Sequence, residues 1–228
     1  MIDDSGITPG KFVVFEGIDG AGTTTQVSRL GRRLETAGVS VEVTKEPSNG
    51  PIGAALRQAI DGRVHLHSVA LALAFAADRA DHLFNDHNGV VKLVRAGHWV
   101  LCDRYVLSSL AYQASSDVRQ EWLEEVNSFA IEPDMTIFLD ADPTSCMERI
   151  ASRSATDELF HNHDHLNLAL RNYHRVIAHG HILGELLVVD GNKSIDEVSD
   201  AVWAGVKAHL PSQAVTPTAQ PVVSIARS

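Results

Sequence analysis

Gly17 and Gly22 stand five positions apart, between an apolar run (FVVF, 12–15) and a stretch with helical patterning that begins with three threonines (TTTQVSRL, 23–30). A strand that runs through glycine-rich sequence into a helix leaves several backbone N–H groups pointing into one concavity. The positive end of the helix dipole adds to their pull on an anion. The spacing is that of the phosphate-binding pattern G-x-x-x-x-G-K-[ST], except that Thr23 stands where the lysine belongs. The predicted chemistry is recognition of a nucleotide's phosphates by a loop of Gly17, Gly20, Ala21, Gly22, Thr23, Thr24 and Thr25, with the N–H groups of residues 20–24 as the cradle. Thr24 occupies the place of the hydroxyl that holds Mg²⁺ in such loops. Two glycines alone also fit an ordinary turn; the strand before them, the helix after them and a second strand end at Asp103 favour the phosphate loop.

That second strand end reads Trp99-Val-Leu-Cys102 followed by Asp103-Arg104-Tyr105. An aspartate there can hold Mg²⁺ through water, and an arginine beside it can clamp a phosphate with two parallel hydrogen bonds. A D-R dipeptide is also a common surface ion pair. A third feature is a run of histidines, His161, His163 and His165, followed by His174, His179 and His181. Imidazoles at i, i+2 and i+4 can share a metal. No partner cluster accompanies them, and a solvated segment with fortuitous histidines is the favoured reading.

These groups need a scaffold. Short apolar stretches at Lys11–Phe15, Val39–Thr44, His98–Cys102, Met135–Leu139 and Leu186–Val189 read as buried strands. Helical patterns at about 24–37, 51–61, 68–95, 107–130, 143–152, 165–182 and 194–209 separate them. Alternation of this kind predicts an α/β fold: a parallel five-stranded sheet with helices on both faces, in three layers, with ligands at the carboxyl ends of the strands. The 228 residues suffice for one domain. A net charge of -10 excludes a protein that coats nucleic acid. The longest apolar run, Val69–Ala77, is too short to span a membrane, and the opening residues carry Asp3 and Asp4 and lack a signal-peptide pattern. A cytoplasmic protein is expected, with Cys102 and Cys146 as buried thiols. The expected organisation is an N-terminal extension (1–10), one domain (11–209) and a proline-rich flexible tail (210–228).

Six segments resemble one family in order: FEGIDGAG (15–22), TKEPSNGPIG (44–53), FAADRADH (75–82), DRYVLSSLAYQ (103–113), PDMTIFLDADP (133–143) and VVDGNKSIDEV (188–198). The family is that of the thymidylate kinases, P-loop enzymes that phosphorylate dTMP from ATP with Mg²⁺ and are commonly homodimers. The resemblance implies a P-loop kinase fold with a mobile lid at about 149–165 and a homodimer built through the helix at 68–95. It implies a thymine pocket with Phe75 against the base, Arg79 on its edge, Tyr112 under the sugar and Ser109 nearby. Lys45 and Arg104 would hold the dTMP phosphate, and Asp19 would face the sugar hydroxyl and the metal region. Mg²⁺ would be held by Thr24 and, through water, by Asp103. Asp19, Arg104, Arg149 and Arg153 would be the catalytic set.

The chain departs from the family pattern at Thr23, and in the lid, where Ala151 and Glu158 fall at usually basic positions. One cationic contact at ~4 Å and an effective dielectric of ~20 is worth roughly 4 kcal/mol, about a thousandfold in rate if nothing replaces it. Transfer of the ATP γ-phosphoryl to dTMP is the leading expectation, with the rate impaired by Thr23. A nucleotide-binding module without turnover, or a kinase of a modified nucleotide, stands as the alternative.

Overall fold

In the computed structural model the described residues are 8–152, 163–180 and 182–211. Five parallel strands, β1 (Phe12–Gly17), β2 (Val41–Lys45), β3 (Trp99–Asp103), β4 (Met135–Asp140) and β5 (Glu185–Asp190), form one sheet in the order β2-β3-β1-β4-β5. The connections carry α1 (Thr23–Thr36), α2 (Pro51–Ile60), α3 (Ser68–Phe84), α4 (Val90–Arg95), α5 (Val106–Gln113), α6 (Gln120–Val126), α7 (Pro143–Ala151), α8 (His163–His179) and α9 (Ile195–Val206). Helix α1 packs with α9 over one face; α3, α5 and α8 pack over the other. This is the expected three-layer α/β architecture.

The three inner strands β1, β3 and β4 are buried nearly throughout, because helices cover both faces of a continuous apolar run. The outer strands differ from expectation. In β2 and β5 most residues are exposed or half-exposed, as the sheet's edges require. Two long helical patterns are also broken. The 68–95 stretch divides at residues 85–89, where a Cβ on Gly89 would lie 2.6 Å from the Asn85 carbonyl oxygen, so only glycine fits that turn. The 107–130 stretch divides at 114–119, where Ala114 leaves the helix in an extended conformation.

Register positions the site. Phe15 pairs with Asp103, and Asp103 with Lys45, so the ends of β1, β3 and β2 lie in one row. The chain continues from that row with hydrogen bonds rather than slack: the Arg104 N–H donates to the Phe15 carbonyl (2.9 Å) and the Glu46 N–H to the Asp103 carbonyl (3.0 Å). No helix among the described residues is long and apolar enough to cross a membrane. The expected lid falls largely on residues 153–162, which with Arg153 and His161 lie outside the described residues, as do most of the N-terminal extension and the tail.

Candidate active site

Between β1 and α1 the chain makes a tight loop. Gly20 (φ 84°) and Gly22 (φ 100°) both adopt left-handed backbone that other residues resist. A Cβ on Gly20 would come within 2.5 Å of the Cys146 carbonyl oxygen, whereas one on Gly22 would meet nothing within 4 Å and would fill the open side of the loop. Gly22 is the N-cap of α1, and no side chain caps that helix. Its first N–H groups, those of Thr23, Thr24 and Thr25, are therefore unspent donors facing the space that Gly22 leaves. Gly17 sits against the Leu139 carbonyl and Ala21 is buried, which fixes the floor of the loop. Thr23 is 5% exposed, and its short side chain carries no cation to the loop.

Thr24 reaches across to β3, where its hydroxyl donates to Asp103 Oδ2. The other oxygen, Oδ1, is buried and has no hydrogen-bond partner. A hydroxyl and a half-satisfied buried carboxylate, side by side at the mouth of an anion cradle, form a hard oxygen donor set of the kind Mg²⁺ takes. The residues present fit that ion.

Arg104 is the most constrained side chain nearby. Its backbone is left-handed (φ 77°), a conformation that costs a non-glycine residue about 1–3 kcal/mol. That turn sends the guanidinium back under the loop. Nη1 donates to the Gly17 carbonyl and to the Tyr173 hydroxyl (3.1 Å), and Nη2 donates to Asp19 Oδ1 (2.7 Å). The group also lies 5.8 Å from the Tyr112 ring centre. Burial works against its charge, but the oxygens of Tyr173 and Asp19 hold it firmly protonated. Tyr112 accepts the Asp19 N–H (2.9 Å), so α5 and the loop are tied together.

Beyond Arg104, helices α3 and α5 pack against one another. Phe75, half-buried, precedes Arg79 by one helical turn on α3. Arg79 is 1% exposed and is enclosed by protein. Its Nε donates to Glu46 Oε2 (2.8 Å), Nη1 to Asn127 Oδ1, and Nη2 to the Ser109 hydroxyl (3.1 Å). Arg79, expected on the edge of the base, thus has Nε, Nη1 and Nη2 each engaged by protein, because a buried guanidinium is tolerable only when paired. Glu46 also bonds His82 (3.2 Å), which in turn meets Thr44 (2.7 Å). Asp78 accepts two hydrogen bonds from Ser48 and pins the segment after β2. Lys45 lies at the end of β2 with an exposed side chain.

On the opposite side, Arg149 in the last turn of α7 donates to the Gly191 carbonyl (2.9 Å) and, more weakly, to the Gly20 carbonyl of the loop (3.5 Å). A cavity of about 240 Å³ opens there, walled by Gly22, Gln26, Arg149, Gly191, Lys193 and Ile195 among others. The described histidines do not converge; His181, like His161, lies outside the described residues. His163 meets Asn167, His165 lies edge-on to Tyr112, His174 bonds Asp140 and His179 bonds the Arg175 carbonyl. No metal-binding cluster of His, Cys, Asp and Glu occurs among the described residues. Cys102 and Cys146 are free and buried, as expected; burial pushes both thiols up, Cys146 to about 11, so neither is a ready nucleophile.

Sequence reasoning missed Glu16, Glu46, Asn127 and Tyr173. Glu16 carried a readable signal, a carboxylate inside an otherwise apolar strand. Asn127 and Tyr173 carried none, because each meets its arginine from a segment distant in sequence.

A parallel five-stranded α/β sheet, a glycine loop capping the first helix and an aspartate at the neighbouring strand end define a P-loop nucleotide-binding phosphotransferase. The sequence profile of the thymidylate kinases matches residues 15–202. A Pyrococcus abyssi protein named "Probable thymidylate kinase" is 37% identical over 207 residues, covering 88% of this chain and 98% of its own. A Caldivirga maquilingensis protein of the same name is 39% identical over 166 residues, covering 72% of this chain and 79% of its own. The chain belongs to the thymidylate kinase family.

Proposed function

We propose that this protein transfers the γ-phosphoryl group of ATP to dTMP, giving dTDP and ADP. The observation that carries the reading is the pair of guanidinium groups that bracket the phosphate loop: Arg104 on the Gly17 carbonyl and Arg149 on the Gly20 carbonyl. Phosphoryl transfer asks the protein mainly for positioning and for cations around the transferred group. With Thr23 in the lysine position, these two arginines supply the charge that the loop lacks.

The backbone N–H groups of residues 20–24 cradle the donor phosphates, and the donor base enters the cavity between Gln26, Arg149 and the 191–195 segment. Thr24 and Asp103 would hold Mg²⁺, which supplies charge neutralisation on the donor's phosphate oxygens when bound. Arg104 and Lys45 take the acceptor phosphate. Asp19, tied to Arg104, keeps a carboxylate at the sugar side. Phe75, Ser109, Tyr112 and the occupied Arg79 form the walls of the pyrimidine pocket. Arg153 completes the cationic set in this reading.

A homodimer through α3 belongs to the same proposal, supported by Leu73 (48%) and Phe84 (50%) exposed on that helix, with Phe84 6.4 Å from Phe129. A monomer mass in solution would remove that part. The test of the activity is chromatographic resolution of products from ATP, Mg²⁺ and dTMP. Equal yields of ADP and dTDP support the proposal. Binding of dTMP without any dTDP would turn the reading to a nucleotide-binding module.

A further inference from the structure

Glu16 is fully buried at the end of β1, and none of the chemistry above uses it. Its Oε1 accepts the Tyr105 N–H (2.9 Å) and the Ser108 N–H (3.2 Å). Its Oε2 accepts the Ser108 hydroxyl (2.6 Å) and the Tyr173 hydroxyl (2.9 Å). The Ser108 and Tyr173 oxygens are themselves 2.7 Å apart. Tyr173 also accepts from Arg104 Nη1 (3.1 Å). Each hydroxyl has one hydrogen to give. One ordering spends a single hydrogen per link: Arg104 Nη1–H to Tyr173, Tyr173 O–H to Ser108, Ser108 O–H to Glu16. It runs from a cation to a carboxylate through two hydroxyls, from the half-buried Arg104 inward to the fully buried Glu16.

Tyr173 is buried on α8, packed 5.3 Å from Phe138 and 6.1 Å from Tyr112, so its ring has no freedom to drift. Arg104, by contrast, holds a left-handed backbone that must be over-determined by its surroundings to persist. Asp19, its ion-pair partner, is 38% exposed and sits on the loop itself. The buried anchor is therefore the hydroxyl chain, and it joins α8 to the phosphate side of the site.

We infer that Tyr173 is a positioning residue. Through Ser108 and Glu16 it fixes the direction in which Arg104 presents its guanidinium to the acceptor phosphate. The inference rests on the proposed reading of Arg104 as the acceptor-phosphate clamp.

The test compares calorimetric affinities for dTMP and for thymidine, which differ only in the phosphate, so it does not depend on turnover. The readout is the dissociation constant for thymidine divided by that for dTMP. Tyr173→Phe keeps the ring and removes the hydroxyl. The expected result is a fall in the ratio of about fivefold, the scale of one misdirected hydrogen-bond donor, with thymidine affinity unchanged. Arg104→Gln is expected to lower the ratio further, and adding Tyr173→Phe to Arg104→Gln to lower it no more. Equal weakening of dTMP and thymidine in Tyr173→Phe would show a merely structural role and overturn the inference. So would additive losses in the double variant. An unchanged ratio in Tyr173→Phe beside a fall in Arg104→Gln overturns the positioning role alone. An unchanged ratio in Arg104→Gln overturns the clamp reading and the positioning role with it.

Discussion

The two sides of the site hold their arginines in opposite ways. On the pocket side, Arg79 is sealed among Glu46, Asn127 and Ser109, and Arg104 is held by Gly17, Asp19 and Tyr173. On the loop side, Arg149 rests half-buried on two backbone carbonyls, beside an open cavity and the mostly exposed Lys193. The first arrangement is costly to disturb, since removing a partner strands a buried charge. The second costs little to disturb and has little to hold it. The phosphate loop lies between them with Thr23 in place of its own cation. In the proposed reading, the buried side carries fold stability, recognition of the acceptor and part of the charge around the transferred group, and the open side carries charge that can be removed at little cost to the fold.

This contrast can be broken by substitution. Arg79→Met leaves Glu46 buried with only His82 beside it, and should destabilise the fold by about 3–5 kcal/mol, read from chemical denaturation. A loss under about 1 kcal/mol would show that the pocket side is not the buried-charge structure described, since surface changes stay near that size. Arg149→Ala should leave the denaturation midpoint almost where it was while lowering the rate of transfer about a hundredfold, as loss of one preorganised donor does. If stability falls and the rate does not, the two sides have been assigned the wrong way round. Thr23→Lys should raise the rate by about tenfold rather than the full thousandfold of an uncompensated lysine, since in the proposed reading Arg149 supplies part of that charge.

The smallest expected effect concerns pH. Burial raises the Glu16 carboxyl above the usual glutamate range, against the pull of Ser108, Arg104 and Tyr173. A raised carboxyl favours the protonated form in the folded state, so its contribution to stability is present at low pH and is lost as pH rises through the raised value. The sharing of hydrogens agrees: two hydroxyl hydrogens serve three contacts among Glu16, Ser108 and Tyr173, and a protonated Glu16 supplies a third. Denaturation midpoints of wild type and Glu16→Gln across this range should converge at low pH and separate upward in favour of the glutamine. Parallel curves would mean that Glu16 titrates like a solvated glutamate.

Much of this was legible in the chain. Apolar runs located all five strands to within two residues at each end, since inner strands and their flanks leave few alternatives. The edges were less legible: β2 and β5 are apolar enough to read as buried, yet sheet order, which a single strand does not encode, leaves them partly open. The loop, Asp103 and Arg104 were readable because a motif and a strand end place them. Arg79's true partners were not. Glu46 and Asn127 lie 33 and 48 residues away, and Tyr173 lies 69 from Arg104, so only the packing of distant elements brings them together. The lone charges Glu16 and Asp78 in apolar stretches were a usable sign that some such partner exists.

The most direct test of the account is a rescue measured as steady-state dTDP formation by Arg149→Ala, with and without Thr23→Lys. If Arg149 stands in for the missing lysine, the added lysine should restore most of the lost rate. If the double variant stays as slow as Arg149→Ala alone, Arg149 does not supply the loop's missing charge, and the central claim fails.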